Sequence, residues 1–304
     1  MTEPIVIDTN MHGYAGITAA FLLQGELTAL IETGPKSSVD HVITGLDRAG
    51  VDGLDFIIVT HIHLDHAGAA GTLVRRFPDA TVAVHPVGAP HLIDPSKLWA
   101  SAGRIYGKAM DELWGGIDPV PDDRVRVIED GEIIDLGDRT LRAVETQGHA
   151  YHHHAFLDEA ADAIYVGDAL GVRLAGTGKV RPATPPPEFH LEKAIESIHR
   201  IRSLDPQVMY LTHFSRHDDG PPASAGQVCD EAVAALQQWA GWVRTARAEG
   251  ADVERAVARV RAEARAAAEA GMPPDIADRL DHTTSYEMNV AGYMRYMDKA
   301  EASK

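Results

Sequence analysis

Four stretches of this 304-residue chain share one form, a short apolar run that leads into a histidine or an aspartate. "LDFIIVTHIHLDHAG" delivers His61, His63, Asp65 and His66, and "TLRAVETQGHAYHHH" leads to His149. "AIYVGDAL" carries Asp168 and "QVMYLTHF" carries His213. Apolar runs of this length, bounded by turn formers, read as buried strands. A rigid sheet can hold the residues beyond its strand ends together on one edge, where open α/β sheets place their sites.

The rest of the sequence supplies layers for those strands. "IVID", "AAFLLQG", "LTALIETG" and "TVAVH" are further short apolar runs ended by turn formers. "SVDHVITGLDRAG" spaces Val39, Val42, Ile43 and Leu46 along one helical face and stops at Gly50. A second helix is expected to begin just after Asp65 and to run through "AAGTLVRRF" to Pro78. Between 96 and 114, residues such as Leu98, Ala102, Ile105 and Met110 form a helical stripe read as core packing. Short strands then lead to the helix "PEFHLEKAIESIHRIRSL". Strands and helices thus occur twice over, which predicts a layered α/β sandwich rather than a barrel.

From Pro221 the character changes to long amphipathic helices, one of them closed by Gly271 and Pro273–Pro274, and a last one over "HTTSYEMNVAGYMRYMDKA". The expected division is a catalytic α/β domain over 1–220 and an all-helical extension over 221–304.

Charge and cysteine count narrow the function classes. With 45 acidic against 28 basic residues the formal charge is -17, a surface that repels nucleic acid and anionic membranes at long range. The lone Cys229 excludes an intramolecular disulfide framework and fits a reducing compartment. No basic-then-apolar segment precedes "EPIVIDTN", and no apolar run approaches the ~20 residues that span a bilayer. A cytoplasmic location and a small-molecule substrate are expected, without nucleic acid or membrane, and with a homodimer as an option.

In an extended loop, residues two apart point the same way, so His61 and His63 can converge on one ion. Asp65 and His66 come next, where the loop turns into a helix, and can face a neighbouring ion. Imidazole and carboxylate are ligands that zinc, iron(II) and manganese all accept. His152, His153 and His154 are not counted among the ligands, and the scattered histidines, such as His85 and His91, read as surface or hydrogen-bonded side chains.

"THIHLDHAGAAG" resembles the T-H-x-H-x-D-H-x-G signature of the metallo-β-lactamase superfamily, and "TQGHAYHH", "VGDA" and "LTHF" look like its later ligand motifs in the family's order. The resemblance covers about residues 15–215. It implies an αββα sandwich with a dinuclear site: His61, His63 and His149 on one metal, Asp65, His66 and His213 on the other, and Asp168 bridging. Glu32 in "IETG" stands where the family usually has aspartate, so that supporting hydrogen bond is expected to differ. Gln147 stands where the family favours proline, and the cysteine ligand of some β-lactam-hydrolysing members has no counterpart.

The resemblance also implies a reaction. Two divalent ions, a hydroxide, Asp65 and Asp168 sum to about +1, a surplus that polarises a substrate oxygen while the metals acidify water. The expected activity is hydrolysis of a small ester, thioester or lactone, as in the glyoxalase II and lactonase-like branch. Asp65 and Asp168 are the catalytic residues, with two Zn2+ as first choice and iron or manganese as alternatives. Arg173, Lys179, Tyr293 and Arg295 are candidate substrate contacts. The alternatives are a phosphodiesterase or nuclease of the ribonuclease Z type, and a non-catalytic regulatory protein that retains the metal site.

Overall fold

All five residues of the strand Ala19–Leu23 are buried, and both of its faces are apolar. A strand of that kind belongs inside a sheet covered on both sides. In a computed structural model of the chain, which describes residues 2–302 apart from 176, 220 and 268, it is the second strand of a six-stranded sheet. The sheet runs β1 (Ile5–Asp8), β2 (Ala19–Leu23), β3 (Ala29–Ile31), β4 (Phe56–Ile58), β5 (Thr81–Val84) and β6 (Val125–Val127), in that spatial order. β1 to β3 are antiparallel, and β3 to β6 are parallel.

Parallel neighbours need crossover connections, and helices provide them. α1 (Val39–Arg48) joins β3 to β4, and α2 (Leu64–Ala67) with α3 (Ala70–Arg76) joins β4 to β5. α4 (Ala89–Ile93), α5 (Ser96–Tyr106) and α6 (Met110–Trp114) lie between β5 and β6. The register sets Leu22, Leu30, Ile57 and Val82 side by side across four strands. That row packs with Val42, Leu46, Leu73 and Val74 of the crossover helices in one buried cluster. On the opposite face, Phe21 meets Tyr165 with ring centroids 5.4 Å apart.

The second sheet has the order β12-β11-β10-β9-β8-β7. Its strands are β7 (Ile133–Asp135), β8 (Thr140–Glu145), β9 (His154–Asp158), β10 (Ala163–Gly167), β11 (Val208–Leu211) and β12 (Ser215–Arg216). β7 to β10 form an antiparallel meander. The chain divides into two compact units, 1–145 with 152–165 and 146–151 with 166–304, and the division falls within β10.

The second unit also holds α7 (Leu191–Ser203), α8 (Ala225–Ala248), α9 (Val253–Ala266), α10 (Pro274–Thr283) and α11 (Tyr286–Ala302). A reciprocal pair of hydrogen bonds between Ser224 and Gln227 starts α8, and Asp252 caps α9. Trp239 of α8 stacks on Tyr286 of α11 at 5.5 Å and 6°. No helix among the described residues is long and apolar enough to cross a membrane.

The mixed α/β fold with two sheets and a helical C-terminal region matches the expected class. Three elements differ from the sequence reading. α2 begins at Leu64, before Asp65, and is separate from α3. The stripe over 96–114 is interrupted at Gly107 (φ 54°, ψ -124°), and none of α5 is fully buried, whereas Met110 and Trp114 of α6 are. α10 is a helix that the sequence reading does not name: α9 ends ahead of Pro273–Pro274, and Pro274 opens α10, since proline suits the first turn of a helix, where no amide donor is needed. The expected boundary residue, Gly220, lies outside the described residues.

Candidate metal centre

In the first unit, β4 ends at Ile58 and the chain leaves the sheet through Thr60–His63 before α2 begins. The Nε2 of His61 and the Nδ1 of His63 lie 2.9 Å apart, with the two rings nearly perpendicular. That is hydrogen-bond distance, and two nitrogens each about 2.0–2.1 Å from one tetrahedral ion would sit roughly 3.4 Å apart, so a small separation of the rings would admit a shared cation.

Buried partners fix the ring that offers that nitrogen. The Thr60 hydroxyl donates to Glu32 Oε1 at 2.6 Å, which turns its lone pairs towards His61 Nδ1 at 3.0 Å. His61 then carries its proton on Nδ1, and its Nε2 is the nitrogen that faces His63. His66 Nδ1 donates to the same Glu32 Oε1 at 3.0 Å, which leaves its Nε2 on the side of Asp65 Oδ2, 3.7 Å away. Glu32 is fully buried and also accepts from the Thr60 amide at 3.4 Å. One carboxylate thus orients two imidazoles. The hydroxyl and amide of Thr33 both donate to the His66 carbonyl, at 2.9 and 2.8 Å, and pin α2.

The neighbouring histidines take supporting places. His152 Nδ1 accepts from the Ile62 amide at 3.4 Å, and the His153 ring lies 4.9 Å from that of His61. His154 packs 4.5 Å from His85, whose imidazole burial pushes below its ordinary pKa and whose Nδ1 accepts from the Val87 amide. Burial, and to a lesser degree the nearby Asp65 carboxylate, push the Tyr106 phenol upwards.

In the second unit the ligand types arrive one at a time. Gly148 has φ 126°, and a Cβ there would lie 2.2 Å from the Ala194 amide nitrogen of α7, so only glycine permits this turn against the helix. The turn presents His149, whose Nδ1 donates to the Ala183 carbonyl at 2.9 Å and whose Nε2 faces Asp168 Oδ2 at 3.5 Å. Asp168 lies just beyond β10, and its other oxygen, Oδ1, faces His213 Nε2 at 3.4 Å. The two oxygens of one buried carboxylate therefore address two different imidazoles. The Arg173 amide donates to the His213 carbonyl at 2.7 Å.

The donor set is imidazole and carboxylate throughout, which suits divalent zinc, iron or manganese. The softer Cys229 thiol is buried beside Met209 Sδ at 4.0 Å, with its pKa pushed up to about 12 by burial.

The expected substrate contacts divide between buried and exposed places. Arg173 is 2% exposed, and its guanidinium donates to the carbonyls of His217 (2.5 Å) and Pro221 (3.3 Å). Lys179 and Arg295 are exposed. Tyr293 is fully buried, donates to the Leu236 carbonyl at 2.9 Å and packs edge-on against Phe189. Sequence reasoning does not find Thr33, Thr60 or the Ala183 carbonyl. Glu32 stands out in the sequence only as a departure from a family pattern.

A two-sheet α/β fold bearing clusters of histidine and aspartate defines a protein of the metal-binding hydrolase class. Residues 13–213 match the metallo-beta-lactamase superfamily, and the chain belongs to it. Members of that superfamily are hydrolases that bind divalent metals. The chain is 32% identical over 202 residues to the metallo-beta-lactamase fold-containing protein of Sulfurisphaera tokodaii, covering 65% of this chain and 72% of that one. It is 28% identical over 204 residues to an atrochrysone carboxyl ACP thioesterase of Aspergillus novofumigatus, covering 64% of this chain and 50% of the relative. The match thus spans only half the length of that enzyme. A crystal structure of an archaeal metallo-beta-lactamase superfamily protein from Sulfolobus tokodaii superposes with a TM-score of 0.71 at 24% identity. It covers 97% of this chain and 99% of the other, a likeness of fold.

Proposed function

We propose that the protein is a dinuclear metal-dependent hydrolase of small esters or thioesters. In this reading His61, His63 and His149 would hold one divalent ion, Asp65, His66 and His213 would hold the other, and Asp168 would be shared. The observation that carries it is the disposition of Asp168, one oxygen towards His149 Nε2 and the other towards His213 Nε2, which suits a carboxylate shared between two ions. Relatives named as acyl carrier protein thioesterases support an ester or thioester substrate over a phosphodiester. So does the formal charge of -17, which disfavours a long polyanionic substrate.

Two divalent ions held by these groups supply a Lewis acid for the scissile carbonyl and an acidified water as nucleophile, with Zn2+ as the first choice. The chain supplies the positions. Glu32 and Thr60 keep the lone pairs of His61 Nε2 and His66 Nε2 directed outward from their supporting hydrogen bonds. Asp65, whose side chain is 18% exposed, is within reach of solvent and accepts a proton from the attacking water at its carboxylate. Burial of His61, His66 and Asp168 keeps bulk water from competing with substrate.

The test is a substrate panel of p-nitrophenyl esters, lactoyl-glutathione, lactones and bis-p-nitrophenyl phosphate, run with zinc, manganese and iron. Ester or thioester turnover that chelation removes and metal restores is the expected result. Phosphodiester turnover without ester turnover would reassign the chemistry to the ribonuclease Z type. Silence on the whole panel, with metal bound, would favour a regulatory protein that keeps the site.

A further inference from the structure

The Ala183 carbonyl that receives the His149 Nδ1 proton lies in an irregular segment, and a lone carbonyl on such a segment would not hold a ring in place. The segment is fastened on both sides of Ala183 by the C-terminal helices. On one side, Arg181 is 3% exposed and donates through Nε and Nη2 to Glu269 Oε1 (3.0 and 2.7 Å) and through Nη1 to Asp281 (2.7 Å) and the Thr284 carbonyl (2.9 Å). Its guanidinium lies over the Tyr286 ring at 4.4 Å.

On the other side, fully buried Thr184 is held by fully buried Asn289 of α11. The Thr184 amide donates to Asn289 Oδ1 at 2.8 Å, and the Thr184 hydroxyl lies 3.1 Å from both Asn289 Oδ1 and the Asn289 carbonyl. Asn289 Nδ2 donates to Thr284 Oγ1 at 3.0 Å, which settles which end of the amide faces Thr184. One turn further along α11, a Cβ at Gly292 would come within 1.7 Å of the Thr184 carbonyl oxygen, so the segment lies directly on the helix there.

We infer that Asn289 is a positioning residue for His149: by clamping Thr184 it holds the adjacent Ala183 carbonyl, which sets the tautomer and ring orientation of His149. The inference rests on the reading of His149 as a metal ligand. It makes the helical C-terminal region part of what prepares the ligand. Partners that orient a ligand in this way are typically worth about 10–100-fold in metal affinity.

The test uses the full chain and the variants Asn289→Ala, Thr184→Ser, Arg247→Ala and His149→Ala. Arg247 ties α8 to α11 through the Met294 carbonyl and Glu301, away from Thr184. The first readout is the His149 Nδ1–H resonance in metal-free protein, identified by its loss in His149→Ala. It is expected to broaden by solvent exchange in Asn289→Ala and to persist in Thr184→Ser and Arg247→Ala. The second readout is zinc affinity, expected to fall about 10–100-fold in Asn289→Ala and to stay at the wild-type value in the other two. A sharp resonance with unchanged affinity in Asn289→Ala overturns the inference, and so does an equal loss in Arg247→Ala, which would mark general loosening of the helices. If His149→Ala binds zinc as tightly as wild type, the functional reading fails instead, and the Nδ1–H resonance still decides the link to Asn289.

Discussion

In the first unit the ligand-type residues lie within one loop and the start of α2, from His61 to His66, and one buried carboxylate, Glu32, supports two of them. In the second unit His149, Asp168 and His213 come from separate strand ends, and main-chain groups hold them: the Ala183 carbonyl for His149 and the Arg173 amide for His213. The first construction is local and side-chain based. The second depends on distant segments being brought to the right place. The support of the first should therefore fail when a side chain is changed, and the support of the second when the backbone is disturbed.

The largest expected effect is at Asp168. Asp168→Ala should bring turnover to background and lower bound metal more than His63→Ala does, measured by plasma emission on the purified variants, because the proposed site shares Asp168 between two ions and gives His63 to only one. Full metal content with full activity in Asp168→Ala would remove the basis for the hydrolase reading.

Glu32 measures the side-chain support of the first cluster. In Glu32→Ala the Thr60 amide and His66 Nδ1–H lose a buried acceptor, which should cost about 2–4 kcal/mol of unfolding free energy and weaken zinc binding about 10–100-fold. Denaturant titration and competition with a chromophoric chelator read the two effects separately.

Gly148→Ala is the corresponding backbone lesion in the second cluster. The positive φ and the close Ala194 amide predict a loss of about 1–3 kcal/mol, with hydrogen exchange accelerated around 146–151 and unchanged around 60–66. Equal disturbance of both segments would contradict the contrast drawn between them.

Smaller effects come from residues outside both clusters. Burial raises the pKa of the Asp118 carboxyl, but hydrogen bonds from Arg75, Thr72 and Lys36 outweigh it and hold the group well below the carboxylate range. A carboxyl whose pKa is depressed by folding stabilises the protein above its unfolded value, about 3.9, and loses that contribution as pH falls through the folded value. The Tm difference between wild type and Asp118→Asn should be full above about pH 4 and narrow below it. The smallest signal is at Cys229, where a buried thiol with its pKa pushed up to about 12 should show no rapid reaction with a thiol reagent at pH 8 until the protein unfolds.

Much of the first cluster is legible because its residues are neighbours in the chain. The spacing His61, His63, Asp65, His66 after an apolar run states both the strand and the loop beyond it. His149, Asp168 and His213 can be singled out by the same strand-then-ligand form. The group that holds His149 cannot, since a carbonyl on Ala183 looks the same in sequence as any other. Tyr293 and Arg173 are singled out in sequence as candidate substrate contacts because their residue types allow it, and tertiary packing buries both. The α5 stripe shows the reverse, an apolar face that the sequence assigns to a core and that the fold leaves half-covered.

The amino-acid order by itself determined the buried strands, the crossover helix α1, the family and the chemical character of the ligand-type residues, since each depends on side chains within a few residues of one another. Tertiary structure alone decided which carboxylate aims His61 and His66, which carbonyl receives the His149 proton, and that Asn289 of α11 stands behind that carbonyl. Those choices are hydrogen bonds between segments far apart in the chain, often to main-chain atoms common to every residue, and only folding gives them partners.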